Sequence, residues 1–269
     1  MIHSTALIDP LAEIAPGTSI GPYAIIEGPV KIAANVVIGA HAQVIGDTTI
    51  GEGTRIGRAA IIGDLPQDLS FDPATHSFTS IGKNNIIREQ VTIHRGSKPG
   101  SATRLGDNNF LMANAHLAHD VQAGDRNVIA NGVLLAGHVH LGNNAFLGGG
   151  AVFHQFIRIG DSVVVQGNSA ISKDLPHFCG ANRLNRITGL NIIGLRRQGY
   201  NTADRAAIKE LFDLIFRSGR NRAQAIAAAR FRQWPEPCER FLSFIEAPSK
   251  RGICVMRAGI KGGAGDEEE

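Results

Sequence analysis

The sequence predicts a mainly β fold, namely a parallel β-helix of hexapeptide repeats followed by a C-terminal α-helical domain. From Ile2 to Ile62 every sixth position is isoleucine or valine. The position two residues before each of these is mostly small or β-branched. Glycine is abundant, at 32 residues, whereas aromatic residues make up only 6% of the chain, which suits a narrow fold with a small-residue interior. Neither an amphipathic helix nor a simple strand has a period of six, but a parallel β-helix does.

Each hexapeptide is expected to form one flat face of a triangular coil. Three hexapeptides, about 18 residues, then complete one turn. Successive coils stack at the ordinary strand spacing of about 4.8 Å. The recurring aliphatic residue fills the interior, and the small residue fits where stacked coils crowd together.

Two interruptions of the repeat are interpreted as loops that leave the coil. The pattern stops after Ile62 and resumes at Ile81, which predicts an insertion near residues 63–80. A second insertion is expected near residues 96–104, and the repeat then runs in unbroken phase to Ile171. Loops on a rigid scaffold commonly carry binding residues.

Beyond Asp174 the period of six disappears. We expect a loop over residues 180–199 and then helices, because an apolar stripe with helical spacing starts at Ile208. The sequence therefore predicts a β-helix over residues 1–185, a helical domain over 186–256 and a disordered tail over 257–269.

Charge and cysteine content restrict the possible partners. The net charge is +3 although the chain ends in a short acidic run, which favours anionic partners. The chain lacks a Lys/Arg run interleaved with aromatic residues, which is the pattern that would indicate nucleic-acid binding. No apolar run approaches the roughly 18 residues of a membrane span. Three scattered cysteines form neither a disulfide framework nor a metal spacing, and they predict a reducing, cytoplasmic compartment.

The coil period places several polar residues on one strip of the prism. Residues about 18 apart should stack on one another. The three neighbouring columns are His119, Gly137 and Gln155; Asp120, His138 and Phe156; and Ala118, Ala136 and His154. His116 precedes them on the same coil. The strip therefore brings histidines, a carboxylate and glycine together.

Three interpretations of this strip remain open. Its polar side chains could simply face solvent or a subunit interface. His119, His138 and His154 could bind a metal ion. We favour general-base catalysis, in which a neutral histidine takes a proton while Asp120 or a backbone carbonyl fixes its tautomer. The Gly137 N–H could then stabilise an oxyanion. This interpretation needs neither a metal nor a cofactor, and the absence of an obvious serine or cysteine nucleophile favours direct transfer.

Several motifs in these positions resemble those of the bacterial UDP-N-acetylglucosamine O-acyltransferase family. The matching segments are residues 92–96 (TIHRG), 114–120 (NAHLAHD), 135–138 (LAGH), 154–156 (HQF), 189–197 (GLNIIGLRR) and 215–219 (IFRSG). The resemblance covers nearly the whole chain, apart from the tail beyond about residue 257. Hexapeptide repeats are shared by many acyltransferases, so the histidine and Asn191/Arg197 motifs make the resemblance specific.

The resemblance implies a left-handed β-helix and a homotrimer with active sites between subunits. It also implies transfer of a 3-hydroxyacyl group from acyl carrier protein to the 3-position of the UDP-sugar, which is the first step of lipid A biosynthesis. His119 matches the general base of the family and Asp120 lies beside it. The matching substrate-contacting positions are Gln67 and Asp68 for the sugar, His116, His138, His154 and Gln155 around the reacting groups, and Asn191 and Arg197 near the nucleotide. Gly167 matches the position that limits acyl length.

A few positions depart from the family pattern. Ser70 stands where lysine is usual, Ile193 where an acidic residue is common, and Gln198 where a second arginine is common. These departures leave open a related acyltransferase that N-acylates a 3-amino sugar nucleotide. From another class of protein, a non-catalytic β-helix scaffold and a metal-binding, carbonic-anhydrase-like trimer also remain open.

Overall fold

The fold is a triangular prism of short parallel strands that ends in four helices. The computed structural model describes residues 1–256. The strands of the first half are β1 (Leu7–Ile8), β2 (Glu13–Ile14), β3 (Ser19–Ile20), β4 (Ile25–Glu27), β5 (Lys31–Ile32), β6 (Val37–Ile38), β7 (Gln43–Ile45), β8 (Asp47–Ile50), β9 (Arg55–Ile56), β10 (Ile61–Asp64), β11 (Phe78–Ile81), β12 (Ile86–Ile87) and β13 (Thr92–His94). Those of the second half are β14 (Ala102–Leu105), β15 (Phe110–Leu111), β16 (His116–Leu117), β17 (Gln122–Ala123), β18 (Val128–Ile129), β19 (Leu134–Leu135), β20 (His140–Leu141), β21 (Phe146–Leu147), β22 (Val152–Phe153), β23 (Arg158–Ile159), β24 (Val164–Val165), β25 (Ala170–Ile171), β26 (Cys179–Asn182) and β27 (Arg186–Leu190). The helices are α1 (Ile192–Arg197), α2 (Thr202–Phe216), α3 (Arg222–Ala229) and α4 (Glu236–Glu246).

Every third strand belongs to the same sheet, so the chain visits three faces in turn. Face 1 runs from β1 to β25, face 2 from β2 to β23, and face 3 from β3 through β24 to β26 and β27. All pairings within the coils are parallel, and His116 pairs with Leu134 in the next coil. The predicted left-handed parallel β-helix of hexapeptide repeats is confirmed.

The recurring aliphatic positions form the interior, as the period predicted. Ile26, Ile62 and Leu117 are each no more than 1% exposed, and so are small residues such as Ala24 and Ala60. Ile2 is 48% exposed because no coil lies below it. The repeat therefore describes the core well everywhere except at its open N-terminal end.

Both interruptions of the repeat leave the prism from the corner between faces 1 and 2. The first is the β10–β11 connection, residues 65–77, and the second is the β13–β14 connection, residues 95–101. The next coils return to short turns at this same corner, and those turns carry His119 and His138. The site is therefore built on one edge of the prism.

A ladder of buried amides runs along the opposite corner, between faces 2 and 3. The Asn85 side chain accepts a hydrogen bond from the Asn109 N–H at 2.8 Å, and Asn109 accepts one from the Asn127 N–H at 2.9 Å. Asn127 in turn accepts from the Ala145 N–H at 2.8 Å. Each side chain thus satisfies a backbone donor one coil above.

The segment 180–199 was predicted as a loop, and that prediction is wrong. Strand β26 pairs in parallel with β24 and extends face 3, and β27 pairs with β26 in an antiparallel hairpin. Helix α1 follows, with Asn191 as its N-cap. The predicted domain boundary after residue 185 falls at the turn of this hairpin.

The three longer helices lie in the region where helices were expected, and α2 carries the apolar stripe that starts at Ile208. Asn201 and Asn221 cap α2 and α3 by accepting backbone hydrogen bonds. Buried Phe212 and Phe241 lie on α2 and α4. None of the helices within residues 1–256 is long and apolar enough to cross a membrane. The predicted disordered tail, 257–269, lies outside the described residues.

The helices are docked onto the last coil by charged contacts. The Arg158 guanidinium lies 2.7 Å from the Asp174 carboxylate and donates to the Ala247 carbonyl at the end of α4. Arg240 of α4 lies 3.0 Å from Asp161. Burial alone would raise the pKa of Asp161, but hydrogen bonds from His177 and the Asn143 N–H outweigh it and lower the pKa to about 2. Asp161 therefore stays ionised under the helical domain.

Candidate active site

The centre of the strip is a hydrogen-bonded pair, His119 and Asp120. The Nδ1 atom of His119 lies 2.9 Å from Oδ2 of Asp120. The same Oδ2 accepts a 2.5 Å hydrogen bond from the Ser97 hydroxyl and a 3.1 Å bond from the Ser97 N–H. The Asp120 N–H donates to the Thr103 hydroxyl at 2.8 Å. Asp120 is therefore fixed by its own coil and by the second loop.

The environment of Asp120 keeps it ionised. Its burial raises its pKa, but the hydrogen bonds from His119 and Ser97 lower it more strongly, so the net pKa lies well below the usual range. An ionised Asp120 accepts a hydrogen bond from the Nδ1–H of His119. The Nε2 atom of His119 then carries the lone pair, which is the form that a general base needs.

Glycine at position 137 makes room for this imidazole. A Cβ atom at Gly137 would lie 2.5 Å from Cε1 and 2.6 Å from Nε2 of His119. The backbone N–H of Gly137 makes none of the hydrogen bonds found within residues 1–256. The arrangement therefore offers a base and a backbone donor side by side.

His138 lies one coil above Asp120 and packs against both neighbours in its column. Its Nε2 atom lies 3.7 Å from the Asp120 carboxylate, beyond hydrogen-bond range. Its ring stacks on Phe156, with centroids 4.6 Å apart and planes at 8°. Burial lowers the pKa of His138, although Asp120 partly opposes this. The predicted stacking of Asp120, His138 and Phe156 is confirmed.

His119 separates two cavities. A polar cavity of about 600 Å³ opens on the face 2 side and is lined by residues that include Asp68, Ser97, His138 and Gln155. A second cavity, of about 500 Å³, opens on the face 1 side and is called the apolar cavity because its wall contains Leu134, Val152, Phe153, Ile171 and Leu184. Because His119 belongs to both walls, groups bound in the two cavities would meet at its imidazole.

The first loop carries two of the predicted substrate residues to these cavities. Gln67 lies in the wall of the apolar cavity and Asp68 in the wall of the polar one. The Ser70 N–H and hydroxyl donate to Asp68 at 2.9 and 2.8 Å, and these bonds lower the pKa of Asp68. Arg95 holds the loop from below by donating to the Pro73 carbonyl at 2.9 Å.

His116 is half-buried like His119 but is paired with other residues. Its Nδ1 atom lies 2.7 Å from the Thr92 hydroxyl, and its ring meets His94 edge-on at 4.8 Å. Burial lowers the pKa of His116 to about 4, and the nearby His94 adds to this. His116 is thus neutral near pH 7, although it still lines the apolar cavity.

The predicted residues of the third coil are divided between the cavities. His154 faces the apolar cavity and Gln155 the polar one, and both are exposed. Nδ1 of His154 lies 3.1 Å from the Gln155 carbonyl. The strip therefore converges at His119, Asp120 and His138, with His154 and Gln155 at its edges.

Three predicted residues do not reach His119 within one chain. Gly167 lies at the corner between faces 3 and 1, in the turn between β24 and β25. Asn191 caps α1 and donates to the Ser162 carbonyl at 2.9 Å, so its amide already has partners. Arg197 is exposed in the last turn of α1. None of the three lines either of the two cavities beside His119.

The metal alternative involves a different set of ligands from the predicted one. The donor atoms of His119, Asp120 and His138 lie within 4.8 Å of one another, whereas His154 is not among them. Asp120 Oδ2 already receives hydrogen bonds from His119 and Ser97, which suits a carboxylate that orients the imidazole. Two lysines also border the same cavity, and their charge disfavours a cation there.

Sequence reasoning missed several residues around the pair. Ser97 and Thr103 hold Asp120, and Lys98 and Lys250 border the polar cavity. The predicted second loop was a signal for Ser97 and Lys98, since it interrupts the repeat one coil below Asp120. Lys250 follows α4, outside the six-residue repeat, so the repeat could not place it near the site.

Known proteins share both the fold and nearly the full length of this chain. Residues 174–254 match the family model described as UDP-N-acetylglucosamine O-acyltransferase, domain 2, and residues 102–137 match the bacterial transferase hexapeptide model. The acyl-[acyl-carrier-protein]–UDP-N-acetylglucosamine O-acyltransferase of Thermodesulfovibrio yellowstonii is 40% identical over 257 residues, covering 94% of this chain and 98% of that protein. The chain belongs to the UDP-N-acetylglucosamine O-acyltransferase family.

Two further relatives of this family agree with that assignment. The enzyme of the same name from Chlamydia caviae is 43% identical over 255 residues, covering 94% of this chain and 91% of that protein. The crystal structure of a UDP-N-acetylglucosamine acyltransferase from Bacteroides fragilis superposes with a TM-score of 0.90 at 36% identity, covering 94% of this chain and 99% of that one. The resemblance predicted from the motifs is confirmed.

Proposed function

We propose that this protein transfers a 3-hydroxyacyl group from acyl carrier protein to the 3-position of UDP-N-acetylglucosamine, the first step of lipid A biosynthesis. The observation that carries the proposal is the His119–Asp120 pair at the junction of two cavities, with Nε2 of His119 beside Gly137. The full-length similarity to enzymes of this name supports the substrates.

In the proposed reaction His119 acts as the general base. Its Nε2 takes the proton of the sugar 3-hydroxyl while that oxygen attacks the thioester carbonyl. The Gly137 N–H donates to the developing oxyanion, and Asp120 stabilises the imidazolium that forms. When the tetrahedral intermediate collapses, the C–S bond breaks and the thiol of the carrier leaves with the proton from Nε2. His119 is thereby restored, and no covalent enzyme intermediate forms.

The remaining substrate contacts are assigned by cavity. The apolar cavity, with Leu134, Val152 and Phe153 in its wall, suits the acyl chain. Gln67 and Asp68 would contact the sugar. His116, His138, His154 and Gln155 would surround the reacting groups.

We further propose that the enzyme acts as a homotrimer. His119 and Gly167 lie on different corners of the prism, so a second copy is needed to bring Gly167, Asn191 and Arg197 to the same site. Large apolar side chains also point outward from faces 1 and 3, namely Ile86, Leu134, Phe146 and Val152, each at least 40% exposed. Leu69 is fully exposed on the first loop. An apolar surface of this kind is typical of a subunit interface.

The cytoplasm is the proposed compartment. Cys179, Cys238 and Cys254 are all free and buried, which fits a reducing environment.

The test is an acyl-transfer assay with purified protein and a His119→Ala variant. Acyl carrier proteins of several chain lengths are offered with UDP-N-acetylglucosamine and with its 3-amino analogue. We expect transfer to the 3-hydroxyl, and we expect His119→Ala to lower kcat by about 10²- to 10⁴-fold, the usual contribution of a general base. Transfer to the amino sugar alone would identify the N-acylating alternative.

The control is His41→Asn, at an exposed histidine on another corner that stacks on Tyr23. It should leave kcat and the assembly state unchanged. Full turnover by His119→Ala with an unchanged trimer would contradict the assignment of the base. Stoichiometric zinc in active protein would support the metal alternative.

A further inference from the structure

The polar cavity beside His119 has an uneven distribution of charge. Three basic side chains, Lys98, Arg158 and Lys250, line it, together with one acidic side chain, Asp68. The charge of Arg158 is compensated, since its guanidinium lies 2.7 Å from Asp174, which is 1% exposed. Asp68 is exposed and already accepts two hydrogen bonds from Ser70. Asp120 is buried behind this wall, where its Oδ2 accepts hydrogen bonds from Ser97 and His119. The two ammonium groups are therefore the uncompensated charges in the cavity wall.

Lys98 and Lys250 reach the cavity from separate parts of the chain. Lys98 lies on the second loop, where its N–H donates to the Ser101 hydroxyl at 3.0 Å and its carbonyl accepts from the Ser101 N–H at 2.9 Å. Lys250 follows α4, and its Nζ atom lies 4.8 Å from the centroid of the Phe156 ring. Phe156 stacks in turn on His138. Two separate segments of the chain thus bring positive charge to one cavity.

Neither ammonium is neutralised within the described part of the chain. No carboxylate of residues 1–256 lies within salt-bridge distance of Lys98 or Lys250. A cation–π contact orients an ammonium without cancelling its charge. Both lysines also act on the cavity wall: after burial and His119, they are further contributions that lower the pKa of His138. Their positive potential is therefore directed at the reacting centre.

We propose that Lys98 and Lys250 form an anion site that holds a substrate phosphate group beside His119. The inference rests on the proposed function, because both substrates of that reaction carry phosphate. The phosphate belongs either to the diphosphate of the nucleotide sugar or to the phosphodiester of the pantetheine arm of the acyl donor. An ammonium acts as a point charge toward such oxygens. Ser70 offers no charge here and holds Asp68 through its N–H and hydroxyl, so the ammonium groups in this cavity come from other segments.

The test uses Lys98→Gln, Lys250→Gln and the double variant in the intact protein. The matched control is Lys83→Gln, at an exposed lysine on the corner between faces 2 and 3. KM is measured for each substrate with the other saturating. Binding of pyrophosphate and of 4′-phosphopantetheine is measured by calorimetry, which needs no turnover. Circular dichroism and mass determination check that each variant is folded and assembled.

Each single variant should weaken binding of the affected substrate roughly tenfold, with little change in kcat. The KM of that substrate should also depend less on ionic strength than in the unsubstituted protein. A higher KM for UDP-N-acetylglucosamine, with weaker pyrophosphate binding, identifies the diphosphate as the ligand. A higher KM for the acyl donor, with weaker 4′-phosphopantetheine binding, identifies the pantetheine phosphate. Unchanged KM values and unchanged binding in the folded double variant would overturn the anion site. If wild-type protein binds these probes through the lysines but transfers no acyl group, the proposed function fails and the anion site stands.

Discussion

The corner between faces 1 and 2 is built differently in the N-terminal coils and in the coils around His119. In the N-terminal coils, Gly28 and Gly46 turn the chain with φ values of 85° and 69°. In the later coils the turn falls one residue further on, and Asp120, His138 and Phe156 adopt φ values of 59°, 59° and 67°. Glycine takes this left-handed conformation freely, whereas other residues are destabilised in it by about 1–2 kcal/mol.

The difference shows which part of the repeat is free to change. The interior is the same in both regions, since Ile26 and Leu117 are equally buried. Only the corner differs: it is a plain turn near the N terminus, and it presents a carboxylate, an imidazole and an aromatic ring in the later coils. Asn35 and Ala59 adopt the same left-handed conformation on other corners, with φ values of 59° and 54°, so this turn belongs to the coil geometry and the site differs only in the side chains that the turn presents.

The strongest test of this comparison is Gly137→Ala, next to the His119 ring. The new Cβ would lie about 2.5 Å from the imidazole and force it away from its position. Displacing a catalytic group by about 1 Å lowers turnover about 10²-fold. We expect that loss in kcat, measured in the acyl-transfer assay, with the melting temperature nearly unchanged. An unaffected kcat would mean that the ring position is not critical.

A smaller effect on turnover is expected for Asp120→Asn. Asparagine tolerates the positive φ at this corner, so the turn is retained. The loss of the charged partner of His119 should lower kcat about 10- to 100-fold, as expected for a hydrogen bond to a charged group. Activity equal to that of the unsubstituted protein would show that Asp120 does not orient the base.

Asp120→Asn should also change how the free energy of unfolding depends on pH. The folded-state pKa of Asp120 is depressed, so its stabilising contribution is complete above its unfolded pKa of about 3.9 and is lost as the pH falls through the folded value. Asp120→Asn should therefore be less stable than the unsubstituted protein at pH 7, and this difference should shrink below about pH 4. Urea unfolding at a series of pH values measures it, and a difference that is independent of pH would contradict it.

The smallest effect is expected in the N-terminal coils, for Gly28→Ala. The new Cβ has ordinary contact distances, the shortest being 3.4 Å to Gly46, but alanine is disfavoured at a φ of 85°. We expect a loss of about 1–2 kcal/mol in the free energy of unfolding, measured by thermal or urea denaturation, with kcat unchanged. A fall in kcat would show that this corner is coupled to the site.

The period of six was sufficient to predict the core, the coil stacking and the columns at His119 and Asp120. The positions where the period of six breaks and resumes also located the two loops. Both breaks follow a strand of face 1, so both loops leave the same corner. The hairpin β26–β27 and helix α1 were missed because a four-residue strand and a six-residue helix leave no periodic signal. Ser97 and Lys250 were missed because their contacts join residues that are distant in sequence, and these contacts arise only from tertiary packing.

The amide ladder along the opposite corner has a consequence for how the molecule unfolds. Coils of a solenoid are stabilised mainly by their nearest neighbours, so unfolding tends to start at an unprotected end. The upper end is closed by the helical domain through Arg240 and Asp161, whereas the ladder of Asn85, Asn109 and Asn127 begins only in the middle coils. Amide hydrogen exchange should therefore be fastest in the coils nearest Met1 and slowest where the ladder runs. The coils that carry His119 and His138 would then remain intact while the N-terminal end opens and closes.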